Sequence, residues 1–212
     1  MSISRFSCTL VSVVALGVPV MLVGPTFAQD VIKVGAPLPL TGPLSPEGLK
    51  QKRGYDLWAE AANAKGIKAG GKTYKVEIVY ADYASNTPRA VQTAERMITE
   101  DKVQFLFAPF GSGATKAASA ISEKYQIPML APSASSQEIF DQKFKYIFST
   151  LADNETVSVP IAKLVAAKNK AIKRVAVLAR NDLFPLAVAQ EFEKAVKAGG
   201  MEVVTAERYA IG

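Results

Sequence analysis

The chain has 212 residues, with 25 Lys and Arg against 19 Asp and Glu, one Cys, no His and a formal charge of +6. With no His and with Cys8 as its single thiol, it has no Ser-His-Asp or Cys-His nucleophile system and no zinc site of the usual kind. The basic residues are spread along the chain, as on solvated helix faces, so neither a nucleic-acid partner nor a cofactor is expected.

Residues 1–28 carry a basic residue, Arg5, an apolar run from Leu10 to Val23, and small residues Thr26 and Ala28 ahead of Gln29. This pattern is that of a cleaved secretory signal peptide. Ser12, Gly17 and Pro19 interrupt a run already too short for a spanning helix, and Cys8 follows "RFS" rather than a lipobox. The expected location is therefore extracytoplasmic. A cysteine-free exported chain must be held by a sizeable hydrophobic core, because no disulfide supports it.

From Asp30 onward the pattern alternates between strands and helices. "VIKVGAPLPL" reads as a strand ending near Ala36, followed by the loop "TGPLSPEG" and a helix from about Leu49 to Ala64, stopped by Gly66. Gly70 and Gly71 turn the chain into a strand, "KTYKVEIVYAD", in which Val76, Ile78 and Tyr80 alternate with polar neighbours. Thr87 and Pro88 open the next helix. Then come strand "VQFLFA", a helix from Ser112 to Tyr125, strand "PMLA", a short helical piece from Gln137 to Phe140, and strand "KYIFST".

Continuous apolar strands separated by helices imply an α/β fold, a doubly wound parallel sheet covered on both faces. This first lobe is expected over residues 29–150. Asp153 or Asn154 then caps a helix to about Ala167. Strand "RVAVLA", a helix closed by Gly199 and Gly200, and strand "MEVVTAERY" complete residues 151–212. Two strand-helix rounds are too few to bury a sheet on both faces, so this part reads as an incomplete second lobe.

In open α/β sheets, ligands bind at the carboxyl ends of the strands, beside the point where strand order reverses. Two clusters of small and hydroxyl residues fall there, "FGSGAT" and "APSASSQE". A small-residue loop entering a helix offers unpaired amides and partial positive charge to an anion, and Ser112, Ser133, Ser135 and Ser136 add hydroxyls. The alternative is simple capping, with Ser135 and Glu138 spaced as a capping box. "GSGATK" matches neither the dinucleotide nor the P-loop signature, and no esterase elbow occurs.

The ordered series "IKVGAPLPLTGPLSPEG", "VEIVYADYASNTPRAVQTAERMI", "FAPFGSGATKAASAISEKYQIPMLAPSAS" and "RVAVLARNDLFPLAVAQEFEKAV" resembles the type I periplasmic substrate-binding proteins of ABC transporters, in the leucine/isoleucine/valine-binding branch. The resemblance implies a monomeric, non-enzymatic, two-lobed receptor of the Venus-flytrap kind. Such a receptor closes on an amino acid or related small carboxylate in the periplasm and delivers it to an ABC permease in the inner membrane. It places the ligand's carboxylate and amino group on Ser112, Ser133 and Ser135. Where family members carry aromatic residues flanking the ligand, this chain has Glu47 and Phe184, and where some carry a cysteine beside the site it has Gly111. Glu47 repels a nearby carboxylate and favours an ammonium group, a departure from the family's branched-chain site; the resemblance leaves the ligand open among branched-chain amino acids, amides and aromatic acids.

Overall fold

Val31–Leu38 form the central strand β1, whose last five residues are all buried, as a strand covered on both sides must be. The structure is a computed structural model and describes residues 30–210; the signal peptide expected over residues 1–28, with Cys8, lies outside the described residues. After β1 come α1 (Ser45–Lys65), β2 (Ile67–Ala69), β3 (Lys72–Asp82), α2 (Thr87–Thr99), β4 (Phe105–Phe107), α3 (Ser112–Tyr125), β5 (Met129–Ala131), α4 (Gln137–Phe140) and β6 (Ile147–Ser149). The remaining elements are α5 (Asn154–Lys168), β7 (Arg174–Arg180), α6 (Leu183–Ala198) and β8 (Glu202–Tyr209).

The first sheet has six strands in the order β2-β3-β1-β4-β5-β6. All its pairings are parallel except β2 with β3, an antiparallel edge made where Gly70 and Gly71 turn the chain at positive φ. The chain moves from β1 outward to β3, then crosses back to β4 on the opposite side. The strand order therefore reverses between β1 and β4, and their carboxyl tips diverge there. β7 and β8 pair in parallel as a separate two-stranded sheet.

Two apolar clusters sandwich the first sheet. On one face α2 and α3 bring Ala94, Met97 and Ala118 against Leu106, Met129 and Ile147. On the other, Tyr55 of α1 joins Val34, Val76 and Phe107, with its ring stacked on Phe107 at 4.0 Å between centroids. The expectation of a sheet covered on both faces holds only in part. α1 shields β1 and β3, while an apolar hollow of about 540 Å³ continues over β4, β5 and β6 beside Trp58, Phe105 and Leu130. Phe148 at its rim is 52% exposed.

Local chemistry sets several boundaries differently from the sequence reading. β1 continues to Leu38, since its pairing with β3 runs through Leu38 and Asp82. α1 starts at Ser45, a turn before Leu49, because Pro46 in its first turn needs no amide partner. The cap of α2 is Asn86, whose Oδ1 accepts the Arg89 amide at 2.9 Å, and not Thr87. Asp153 caps α5 by accepting the Thr156 amide at 2.7 Å.

The entry of α1 is seated directly on the loop after β1. A Cβ built on Gly48 would lie 2.2 Å from the Pro39 carbonyl oxygen, a backbone atom that cannot move aside. Gly48→Ala is therefore expected to cost about 3 kcal/mol, at the upper end for overpacking. Urea unfolding measures it, and a midpoint equal to the parent's would contradict the close approach.

Candidate functional site

The loop after β1 is tied down by the end of β3. Asp82 Oδ1 accepts the amides of Leu40 at 2.8 Å, Thr41 at 3.2 Å and Ala84 at 2.7 Å, and Oδ2 accepts the Thr41 hydroxyl at 2.5 Å. Partial burial alone would raise the pKa of this carboxyl; the Thr41 hydroxyl and the three amides outweigh it and hold the group below its ordinary value. Ser85 completes the tie, its hydroxyl donating to the Thr41 carbonyl at 2.8 Å and accepting the Leu44 amide at 3.1 Å. Glu47, in the first turn of α1, is thereby held at the reversal point. Its carboxylate pairs with Lys50 at 2.8 Å and stays 44% exposed, an ion pair of small energetic weight.

The next tip, after β4, turns into α3 through Gly111, whose φ of +87° lies in the left-handed region that favours glycine. Gly111 is the N-cap and has no side chain, so α3 begins with no side-chain capping bond. Ser112 follows, fully buried. Its Oγ accepts the amides of Ser135 and Ser136, each at 3.3 Å, which binds the β4 tip to the β5 tip. Its own hydroxyl proton has no acceptor among the described residues.

The capping-box alternative is not realised at the β5 tip. Ser136 is the N-cap of α4 without a side-chain capping bond. The Ser135 hydroxyl donates instead to Asn154 Oδ1 at 3.3 Å, and Asn154 Nδ2 donates to Ser136 Oγ at 3.5 Å. Ser133 stands slightly apart, its Oγ accepting from Gln51 Nε2 at 3.0 Å. Gln51 also bonds the Tyr55 hydroxyl at 2.5 Å, and burial pushes that phenol's pKa well up.

The six residues singled out from the sequence thus fall into two groups. Gly111, Ser112, Ser133 and Ser135 share the tips of β4 and β5. Glu47 and Phe184 meet across a cavity of about 740 Å³, where Phe110, Ser158, Arg180 and Tyr209 join them. α6 closes against the first turn of α3: a Cβ built on Gly113 would lie 3.6 Å from Asp182 Oδ1 and 4.0 Å from Leu183 Cβ. Asp182 caps α6 through the Leu183 amide at 2.7 Å and pairs with Arg180 at 2.7 Å. Gln51, Asn154 and Asp182 escaped the sequence reading as site residues. Gln51 and Asn154 bond to residues 82 and 18 to 19 positions away, and no local spacing announces such partners.

Two outcomes are expected. Ser112→Ala leaves two buried amides without their acceptor and should cost about 1–3 kcal/mol of stability, whereas Ser133→Ala, losing one bond to Gln51, should cost under about 1 kcal/mol. Equal urea midpoints for the two variants would contradict this ranking. Because folding lowers the Asp82 pKa, its contribution is fully present above the ordinary aspartate value and disappears as pH falls through the lowered folded value. Asp82→Asn should therefore flatten the acid limb of stability against pH, measured by thermal melting between neutral and strongly acidic buffer.

With this geometry in view, the similarities to known proteins are specific. A family model described as periplasmic binding protein matches residues 31–212. A Leu/Ile/Val-binding protein homolog 7 of Brucella suis is 29% identical over 204 residues, covering 92% of this chain and 50% of the relative. The leucine-, isoleucine-, valine-, threonine- and alanine-binding protein of Pseudomonas aeruginosa is 32% identical over 184 residues, covering 86% and 48%. The chain spans about half the length of the curated relatives it matches.

Among solved structures, the substrate-binding protein of a Streptococcus pneumoniae branched-chain amino acid transporter, in complex with isoleucine, superposes with a TM-score of 0.75 at 27% identity, covering 86% of this chain and 51% of that one. A Rhodopseudomonas palustris ABC-transporter solute-binding protein in complex with 4-hydroxybenzoate gives 0.74 at 30% identity, covering 85% and 47%. The chain belongs to the periplasmic binding protein family, in its type I, leucine/isoleucine/valine-binding branch.

Proposed function

We propose that the protein is the periplasmic substrate-binding component of an ABC importer, exported by a cleaved signal peptide, which captures a small carboxylate and hands it as a monomer to an inner-membrane permease. The two sheets are its lobes, residues 29–150 and the part of lobe two in 151–212. The observation that carries the reading is the α3 entry: a helix start with no side-chain cap, beside a buried hydroxyl whose proton is uncommitted, at the reversal point of a parallel sheet. A carboxylate there meets first-turn amides, the helix dipole and the Ser112 hydroxyl together, each charge-assisted bond contributing about 1.5–3 kcal/mol.

The two solved relatives described above are bound to isoleucine and to 4-hydroxybenzoate, and these ligands share a carboxylate. In this reading the carboxylate goes to Ser112 and the first-turn amides that Gly111 opens, Ser133 borders them, and Ser135 accepts from the ligand's ammonium or hydroxyl group. The remainder of the ligand faces the cavity between Glu47 and Phe184. Glu47 favours a ligand that also carries an ammonium group, whereas Phe110 and Phe184 supply an apolar wall that accepts an aliphatic or aromatic body.

Thermal shift with L-isoleucine, 4-hydroxybenzoate and the carboxylate-free isosteres L-isoleucinamide, which keeps the ammonium group, and 4-hydroxybenzyl alcohol tests the reading. A matching acid at about 100 times its Kd should stabilise by about 2.7 kcal/mol, and its isostere should not. Stabilisation by the isosteres equal to that by the acids would remove the carboxylate from the α3 entry. Glu47→Gln should improve binding of 4-hydroxybenzoate relative to L-isoleucine, measured by calorimetry. An unchanged ratio would place Glu47 away from the ligand.

A further inference from the structure

Asn154 opens α5 and is 4% exposed, yet it does not cap its own helix. Asp153 does that, and the Asn154 carbonyl is held by the Ser158 hydroxyl, which leaves the side-chain amide directed into the first lobe. There it accepts the Ser135 proton on Oδ1 and donates from Nδ2 to Ser136 Oγ. We propose that Asn154 is a positioning residue of the strand-tip site, contributed by the second lobe, and that it decides which hydrogen-bonding face the two serines turn to a ligand.

Counting donors and acceptors shows what this decision is. A serine hydroxyl has one proton and two lone pairs. Ser135 commits its proton to Asn154 and so presents an acceptor. Ser136 is an acceptor toward Asn154 and so keeps its proton. Ser112 has both lone pairs occupied by the amides of Ser135 and Ser136, and its proton is likewise uncommitted. The tips therefore hold two hydroxyl donors, which suit a carboxylate, and one acceptor, which suits an ammonium or hydroxyl group on the same ligand. A primary amide does not titrate, so this polarity is the same at every pH. Because Asn154 belongs to the second lobe, the polarity exists only in the lobe orientation that brings Asn154 onto the tips. Ser112, Ser135 and Ser136 are all buried in that orientation, so a ligand has to enter with the seam open, and the tips acquire their final polarity on closing.

This proposal rests on the strand tips being the ligand site, and its test separates the two claims. Asn154→Asp keeps the shape but replaces the donor with a charged acceptor, which recruits the Ser136 proton and repels an acid. Affinity for L-isoleucine or 4-hydroxybenzoate, whichever acid the parent binds, should fall about tenfold or more, and by less in Asn154→Ala. Adding Ser136→Ala to Asn154→Asp should cost little further, since the Ser136 proton is already committed. An additive loss, or equal affinity for Asn154→Asp and the parent, overturns the proposal. In the ligand-free protein, the Ser135 and Ser136 amides should exchange hydrogen about tenfold faster in Asn154→Ala while the amides of β1 and β4 keep the parent's rates. Unchanged exchange at Ser135 and Ser136 overturns the proposal whether or not any acid binds. Faster exchange in a protein that binds neither acid upholds the positioning role and rejects the acid-binding function. If Asn154→Ala does not fold, Asn154→Ser, which retains a donor and an acceptor on a shorter arm, takes its place with the same expected and overturning results.

Discussion

The Ser112 hydroxyl accepts two main-chain amides from the neighbouring strand tip, and the site is organised around that pair of bonds. β4 and β5 run in parallel and are each only three residues long, so their ladder alone fixes little of what happens beyond Phe107 and Ala131. A buried oxygen that draws in the Ser135 and Ser136 amides fixes the loop instead. It does so from the first residue of α3, which places a helix start, a hydroxyl and the next loop in one spot. Leaving those amides unpaired in a buried setting would be costly, so the arrangement is held by the penalty for breaking it as much as by the bonds themselves.

The same economy of short polar ties recurs around the sheet's reversal point. Asp82 gathers three amides and a hydroxyl from the loop after β1 and from the turn after β3, and Ser85 closes the gap between them. Gly48 allows α1 to start against the Pro39 carbonyl. None of these groups needs to touch a ligand. They hold the tips of β1 and β3 at fixed heights beside the crevice, which is the condition for binding groups from different strands to act on one small molecule.

The two faces of the first sheet are treated differently. α2 and α3 cover one face, but on the other α1 covers only β1 and β3, and over β4 to β6 there is an open apolar hollow with Phe105, Leu130 and Phe148 at the surface. The two-stranded sheet behaves likewise: α5 and α6 pack on Val175 and Val203, while Leu178 is 72% exposed. Both open faces belong to a chain that spans about half the length of its curated relatives.

Much of the fold was legible in the residues themselves. The limits of α3 and α4, the stop of α6 at Gly199 and Gly200, and the parallel character of the strands follow from apolar runs and from glycine, which are local signals. The serine clusters at the tips were legible too, because a strand followed by small residues and a helix has a limited set of geometries. What the tertiary structure alone decided is where each hydroxyl turns. Ser135 has the spacing of a capping residue, yet its proton goes to Asn154, the first residue of α5, brought against it by the crossing between the sheets. A hydroxyl rotates freely about one bond, and several partners within reach differ little in energy. Its direction is therefore set by which partner the packed chain delivers, and residue order along the sequence does not encode that.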